Sequence, residues 1–403
     1  MTTEKAPGTL SGLRVIDLTR VLGGPFCTQI LADHGADVVK LEPPAGDETR
    51  DWAPVSPGTG SAYFNGANRN KRSIGLDLAS ARGREVLMLL LKDADVLIEN
   101  FKPGTLDRWG IGNAFLREKF PRLIHCRISG FGGDGPRGGQ PGYDAIVQAM
   151  AGMIAANGSP EGGPTRIGIP AVDITTGLYA TVGILMALHE RQASGLGQFI
   201  ETTLFETGLA IMHPHTSNYF FTGKTPAPQG NPHPSLAPYE SFETRDGPIF
   251  IGIGNDGTFR KLCKEIGKPE LGADARFARN QDRLANRAAM HAELQDVFRQ
   301  FDREALCDRL LAAGLPAGPI QSIDTALESE HSRHRGAVLE KNWYKGVASP
   351  IRFDRTKASL RYAPPAFSEH ANEILAEAGL AASDIEKLIE TGIVSKTRSR
   401  QGP

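Results

Sequence analysis

Asp173 stands where Pro170-Ala171-Val172-Asp173-Ile174-Thr175-Thr176-Gly177 leads into an apolar run. A carboxylate at that place has two readings. It is an N-cap that accepts from the first free amides of a helix. Or it is a nucleophile of the kind that carries covalent intermediates, its ionised form favoured by the positive end of the helix dipole. A second group is cationic: Arg20, Lys71, Arg72, Lys102 and Arg108 fall near expected strand ends. Each alone reads as a surface charge, whereas together they suit a phosphate-bearing ligand. Two glycine-rich turns, Gly23-Gly24-Pro25 and Gly130 to Gly142, let backbone approach such a ligand.

Other chemistries find no support. The first turn is not GxGxxG, and Pro25 lacks the amide that a dinucleotide turn offers to pyrophosphate. There is no P-loop and no GxSxG elbow. In His213-Pro214-His215 the proline interrupts a regular helix, and no acid or cysteine follows at ligand spacing, so no metal is expected.

The elements around these residues alternate. Leu13–Leu18, Ala36–Leu41, Ile74–Leu78, Asp95–Asn100 and Leu123–Ile128 read as strands, separated by helical segments such as the one carrying Val86, Leu87, Leu89 and Leu90. That pattern predicts an α/β protein: a Rossmann-like large domain with a mostly parallel sheet, whose ligands bind beyond the carboxyl ends of its strands. Helices are expected from about Asp144 to Ala156 and from about Ile174 to Gln192. Thr222–Pro238 reads as a linker or active-site loop. Arg245-Asp246-Gly247 turns a hairpin between Tyr239–Thr244 and Pro248–Ile253, which opens a smaller α+β domain. The expected division is 1–224, 225–330 and a C-terminal segment, 331–403, that returns to the large domain. The end of the chain, Ser395–Pro403, is polar and reads as frayed.

Composition narrows the setting. The 403 residues are 40% hydrophobic and 23% charged, the balance of an ordinary globular chain. A formal net charge of -1 supplies no overall field for nucleic acid or an anionic membrane, so an anionic ligand needs local cations. Cys27, Cys126, Cys263 and Cys307 form no CxxC pair and read as free thiols in a reducing compartment. Met1–Gly12 has no signal core, and the longest uncharged apolar run, Ile174–Leu188, is shorter than the roughly 20 residues a span needs. A soluble cytoplasmic protein is expected, with neither membrane nor nucleic acid as partner.

Taken in order, several segments carry a resemblance. They are Leu10–Val21, Gly35–Glu42, Asn68–Ile74, Asp95–Phe101, Gly142-Tyr143-Asp144, the Asp173 segment and Gly195-Leu196-Gly197-Gln198. The chain resembles the class III (CaiB/BaiF-type) CoA-transferases over nearly its whole length, and the family's nucleophilic aspartate matches Asp173. The resemblance implies coenzyme A contacts at Val21, Leu22, Leu76, Asn100, Phe101, Arg108 and Tyr143. Phe101 would pack on the ligand and Arg108 would hold a phosphate. Asp144 matches an acidic active-site position. Gly230, Asn231 and His233 match an active-site loop, where His233 and Asn231 would offer donors to a second substrate carboxylate.

The Gly230–Pro234 loop and Leu22 are similar to the acetyl-CoA:oxalate and succinate–hydroxymethylglutarate branch rather than to enzymes using formyl-CoA. The implied activity is movement of CoA from a succinyl-CoA-like donor to a small, dicarboxylic acid through an aspartyl-CoA thioester. Coenzyme A would be a substrate, with no cofactor permanently bound and no metal. The implied assembly is an interlocked homodimer. Two other functions are open at this point: an α-methylacyl-CoA racemase of the same fold, which needs a base on each face of a carbon, and an acyl-CoA-binding protein without catalysis.

Overall fold

The computed structural model describes residues 8–56 and 60–399. Short runs rich in β-branched residues form the strands. Six lie parallel: β1 (Arg14–Asp17), β2 (Asp37–Glu42), β3 (Lys71–Leu76), β4 (Val96–Glu99), β5 (Ile124–Ser129) and β6 (Phe199–Thr203). A short antiparallel strand, β7 (Val394–Ser395), closes one edge, and the order is β6-β5-β4-β1-β2-β3-β7. Val15 in the centre lies opposite Val38 on one side and Val96 on the other. Every residue of β3 and β4 is buried, as in a parallel sheet with helices on both faces.

Two strands differ from expectation. β3 begins at Lys71, ahead of the apolar run, because the Lys71 ammonium finds Asp17 Oδ2 at 3.1 Å, Pro25 O at 2.9 Å and Asn68 Oδ1 at 2.9 Å inside the protein. β6 was not legible as a strand because Glu201 and two threonines break its apolar pattern. β7 adds a third difference: Val394 is buried opposite Leu76, and Ser399 N–H donates to Pro44 O at 2.9 Å, so the chain end is held as far as it is described. Residues 1–7 and 400–403, on which part of the signal and tail readings fell, lie outside the described residues.

The chain forms β1, β2 and β3 on one side of the sheet before crossing to β4 on the other side of β1. The carboxyl ends of β1 and β4 are therefore the topological switch point, where an α/β sheet opens a crevice. Helix α1 (Gly23–Asp33) leaves the end of β1. Helices α2 (Asp144–Met150) and α3 (Ala171–Ser194) follow later in the chain. A Cβ on Gly177 would lie 2.5 Å from Gly23 O, so only glycine lets α3 bring its first turns this close to α1. The expected single helix from Asp144 stops at Met150, because Gly152 takes a positive φ of 85°.

With 24 residues, and a mean hydropathy of 1.6 over an 18-residue stretch, α3 is long and apolar enough to cross a membrane by length and composition. Its Val172, Thr176, Ala180, Ile184 and Ala187 are nevertheless buried within the protein.

Two compact units divide the chain. The first falls within Met1–Gly152, Ile167–Thr216 and His331–Pro403 and holds the seven-stranded sheet. Its core joins Ile16, Val39, Ile74 and Leu87 to Ile374, Leu375 and Leu388 from the chain's last segment. The second falls within Met153–Arg166 and Ser217–Glu330. It holds an antiparallel sheet of Tyr239–Glu243, Pro248–Gly252 and Ala317–Pro319, packed on helices around Phe242, Phe259, Leu294 and Phe298. These bounds depart from 1–224, 225–330 and 331–403 chiefly in assigning Met153–Arg166 to the second unit.

Candidate active site

Asp173 does not cap its helix. The N-cap position of α3 is Pro170, whose side chain offers no acceptor, and Asp173 lies in the first turn. The cap comes from another element. Asp144, the first residue of α2, accepts the N–H of Val172 at 2.9 Å and of Asp173 at 3.1 Å through Oδ2. Its Oδ1 accepts from Gln148 Nε2 at 2.6 Å, one helical turn along α2. Gln148 is fully buried, and its Oε1 accepts the N–H of Ile167 at 2.9 Å, which fixes the approach to α3.

The Asp173 side chain is thereby released from structural work. Among the described residues no hydrogen bond reaches its carboxylate, and only 9% of the residue is exposed. Burial first, and the neighbouring Asp144 carboxylate second, push its pKa up to about 7. The same burial, with Asp173, Asp144 and Asp47 nearby, pushes the Tyr63 phenol up to about 12.

Asp173 lines a cavity of about 300 Å³ at the switch point, together with Val21, Leu22, Asn100, Phe101 and Tyr143. Six of the residues that the resemblance assigns to the site thus meet in one place. Arg20, Glu48 and Lys102 also line it. The turn after β1 is held from both sides. Asn100 Oδ1 accepts Arg20 N–H at 2.9 Å, and Asn100 Nδ2 donates to Arg20 O at 2.8 Å. Val21 is left-handed, with φ 69°, a conformation that costs a β-branched residue about 1–2 kcal/mol. It persists because Asn100 fixes the residue before it and Asp47 Oδ1 accepts its N–H at 3.4 Å. The next residues, Leu22 and Gly23, start α1 without a side-chain cap, so the positive end of that helix opens at the cavity.

A buried ionic layer supports this turn. Lys40 Nζ donates to Thr19 O at 2.8 Å and to Asp47 Oδ2 at 3.0 Å, with neither side chain exposed. Burial works against the Lys40 charge, yet Asp47, Asp17 and Glu42 together hold its pKa above the ordinary value. Lys71 has less compensation, and burial pushes it down to about 8 despite Asp17.

Other expected contacts fall elsewhere. Leu76 is 1% exposed in the core opposite Val394, so its side chain is a packing residue and does not reach the cavity. Lys71 and Arg72 are not ligand cations either: Lys71 is paired inside with Asp17, and Arg72 binds Asp37, Glu373 and Glu377. Arg108 donates to Thr105 Oγ1 at 2.9 Å in an exposed position beside Gly104. Gly104 lines a second cavity, of about 760 Å³, which shares Lys102, Pro103, Gln140 and Pro141 with the first.

Gly230, Asn231 and His233 belong to the second unit. There Gly230 N–H donates to Gly158 O at 2.7 Å and Asn231 Nδ2 to Ser241 Oγ at 2.7 Å. His233 Nδ1 accepts Ser235 N–H at 3.0 Å, which puts the proton of the neutral ring on Nε2. Gln148 and Tyr63 were missed. The Asp144–Gln148 spacing of one helical turn was a usable signal, whereas nothing local marks Tyr63.

A family model for CoA-transferase family III matches residues 10–371. A succinyl-CoA:mesaconate CoA-transferase of Haloarcula hispanica is 39% identical over 387 residues, 93% of this chain and 97% of that protein. A succinate–glutarate CoA-transferase of Agrobacterium fabrum is 38% identical over 389 residues, 94% and 97% of the two chains. The crystal structure of a CaiB/BaiF family protein from Brucella suis superposes with a TM-score of 0.83 at 40% identity, covering 92% of this chain and all of that one.

Proposed function

The chain belongs to CoA-transferase family III, and on that footing we propose that it moves CoA from a succinyl-CoA-like donor to a small dicarboxylic acid through a covalent intermediate on Asp173. The observation that carries the reading is a buried carboxylate, relieved of capping by Asp144 and facing a cavity of about 300 Å³. The relatives named for mesaconate and glutarate support a dicarboxylic acid.

The steps follow from the chemistry of a carboxylate and a thioester. An Asp173 oxygen attacks the acyl carbon of the donor; the C–S bond breaks, and the thiolate leaves a mixed anhydride. The thiolate then attacks the Asp173 carboxyl carbon and expels the donor acid as its carboxylate. That leaves an aspartyl-CoA thioester. An acceptor carboxylate displaces the thiolate from the same carbon, and the thiolate takes the acceptor acyl group, restoring Asp173. Each addition puts negative charge on an oxygen. The uncapped amino end of α1, at Leu22 and Gly23, offers fixed positive dipoles to that charge. A site largely out of water protects the activated carbonyl from hydrolysis.

The racemase reading fares worse. Asp144 would have to serve as a base, but it accepts from two backbone amides and from Gln148. Two further proposals accompany the reaction. All four cysteines are buried free thiols, which supports a reducing, cytoplasmic setting. A homodimer is the proposed assembly, supported by the exposed apolar stripe Leu178, Tyr179, Val182, Leu185 and Met186 on α3.

The test is to incubate the protein with succinyl-CoA, without an acceptor, and quench with hydroxylamine. A hydroxamate mapped to Asp173 in the wild type and absent from Asp173→Ala is expected. Normal CoA exchange by Asp173→Ala would sink the mechanism. CoA binding with no exchange across a panel of acids would return the chain to a binding role.

A further inference from the structure

Arg20 lines the cavity of Asp173. Arg50, Arg69 and Arg72 spend their guanidinium groups on Glu42, on Asp33 and on Asp37 with two further glutamates. Among the described residues Arg20 has no such ion pair. Its backbone, by contrast, is gripped on both sides by Asn100 at 2.9 and 2.8 Å. The residue after it, Val21, is left-handed at φ 69° and bonded to Asp47, which Lys40 anchors below. The fold thus holds the base of a long cationic side chain firmly, and among the described residues leaves its charge without an ion pair, in the cavity that Asp173 also lines. A half-buried arginine without an ion pair calls for an anionic ligand.

The proposed reaction brings two anions other than the reacting one: the phosphates of coenzyme A and the remote carboxylate of a dicarboxylic acid. The two cavities distinguish them. Lys102 borders both, and Arg127 lines only the larger one of about 760 Å³. Arg20 lines only the smaller one, with Asp173. Glu48 lines that smaller cavity too, and it would repel a dianionic substrate unless a cation offset it.

We propose that Arg20 is the specificity residue for the acid: its guanidinium binds the remote carboxylate of a four- or five-carbon dicarboxylic acid while the other carboxylate reacts at Asp173. This rests on Asp173 being the acyl carrier. A planar fork accepts both oxygens of a carboxylate, which a lysine ammonium does not reproduce. A monocarboxylic acid of equal length leaves the guanidinium unpaired in the cavity, and so binds worse.

The test compares wild type, Arg20→Ala and Arg20→Lys with acetyl-CoA, a donor lacking a remote carboxylate, and with succinate and butyrate as acceptors, and measures CoA affinity by calorimetry. Arg20→Ala should raise the KM for succinate by about 10–100-fold, the loss of one charge-assisted contact. Butyrate turnover should be unchanged or improved and CoA affinity should stay within about threefold, with Arg20→Lys intermediate for succinate. An unchanged succinate KM overturns the inference. So does a fall in CoA affinity matching the succinate effect, because the guanidinium would then be a phosphate ligand. Hydroxylamine trapping on the same variants keeps the two readings apart. Loss of the Asp173 adduct in the wild type defeats the carrier reading, whereas a normal adduct with unaltered acid selectivity in Arg20→Ala defeats only the role given to Arg20.

Discussion

The Oδ2 atom of Asp144 accepts the backbone N–H of Asp173 at 3.1 Å and that of Val172 at 2.9 Å. One carboxylate therefore performs the capping that the other, by its place in the chain, would be expected to do. The exchange has an electrostatic consequence. Asp144 supplies a negative charge beside Asp173, adding to burial in raising the Asp173 pKa to about 7. A carboxylate held near neutrality is more basic than an exposed one, and is only partly ionised at pH 7. Other charged and titratable groups meet the same place: Arg20, Glu48 and Lys102 line the cavity, and Asp47 and Tyr63 are close enough to interact.

Replacing Asp144 by Asn removes the charge but keeps an oxygen for the two amides. The Asp173 pKa should fall, while staying above the ordinary carboxylate range because burial, the larger cause, remains. Asp173 must be ionised to attack, so wild-type activity should decline as pH drops through about 7. In Asp144→Asn this decline should move to lower pH, with a stability cost of about 1 kcal/mol for the weakened cap. A pH profile of kcat/KM checks it, and an acid limb that does not move would show that the Asp144 charge is not felt at Asp173.

Gln148→Met keeps the length of the side chain and removes its hydrogen bonds to Asp144 and Ile167. The Asp144 Oδ1 and the Ile167 N–H would lose their buried partner, at about 1–3 kcal/mol of stability each if water does not replace it. A fall in melting temperature with CoA affinity retained is expected. Calorimetric unfolding and CoA titration measure the two.

How much of this was legible depends on whether the signal was local. β1, β2, β4 and β5 were readable because each is a short apolar run between turns, and Asp173 because it opens the apolar helix. The cap by Asp144 was not, because it joins residues 28–29 positions apart through a side chain. Lys71 misled for a related reason: a lysine in a polar run reads as exposed, and only the fold reveals Asp17, Pro25 O and Asn68 around it. Leu76 misled in the opposite direction, since a position carried over by resemblance says nothing of which way a strand turns its side chain.

That buried layer predicts a large single-mutant effect and a smaller double one. Lys71→Met leaves Asp17 buried without its nearest cation, and should cost about 3–5 kcal/mol. Adding Asp17→Asn removes the unpaired charge and should recover part of the loss, although Thr19 and Thr28 then give up a charged acceptor. Denaturant titrations of the two single variants and the double variant give the coupling. Additive losses would mean that the pair contributes nothing to the turn beneath the site.

The α3 stripe gives a prediction about assembly. Met186 is 66% exposed and Val182 46%, on the face shared with Leu178, Tyr179 and Leu185. An exposed apolar stripe of this kind marks a contact surface, here assigned to a second copy. Val182→Glu with Met186→Glu should therefore yield monomers by sedimentation, and leave the Asp173 side of the helix folded. A wild-type monomer at micromolar concentration would defeat the assignment outright.

The last prediction concerns what the active carboxylate costs the fold. The Asp173 pKa is about 7 in the folded protein against an ordinary value of 3.8, so the folded state holds a proton that the unfolded state has released between those values. Stability contributed at this residue therefore falls as pH rises from about 4 to 7, and stays low above 7. A shift of that size corresponds to about 4 kcal/mol at most. Asp173→Asn keeps the shape and never ionises. It should be inactive, more stable than wild type by up to a few kcal/mol at pH 8, and indistinguishable from it near pH 4. Chemical denaturation at the two pH values reads this directly. An advantage of equal size at both would assign it to packing, whereas none at pH 8 would mean that the cavity already stabilises the Asp173 charge, with Arg20 and Lys102 the cations that line it.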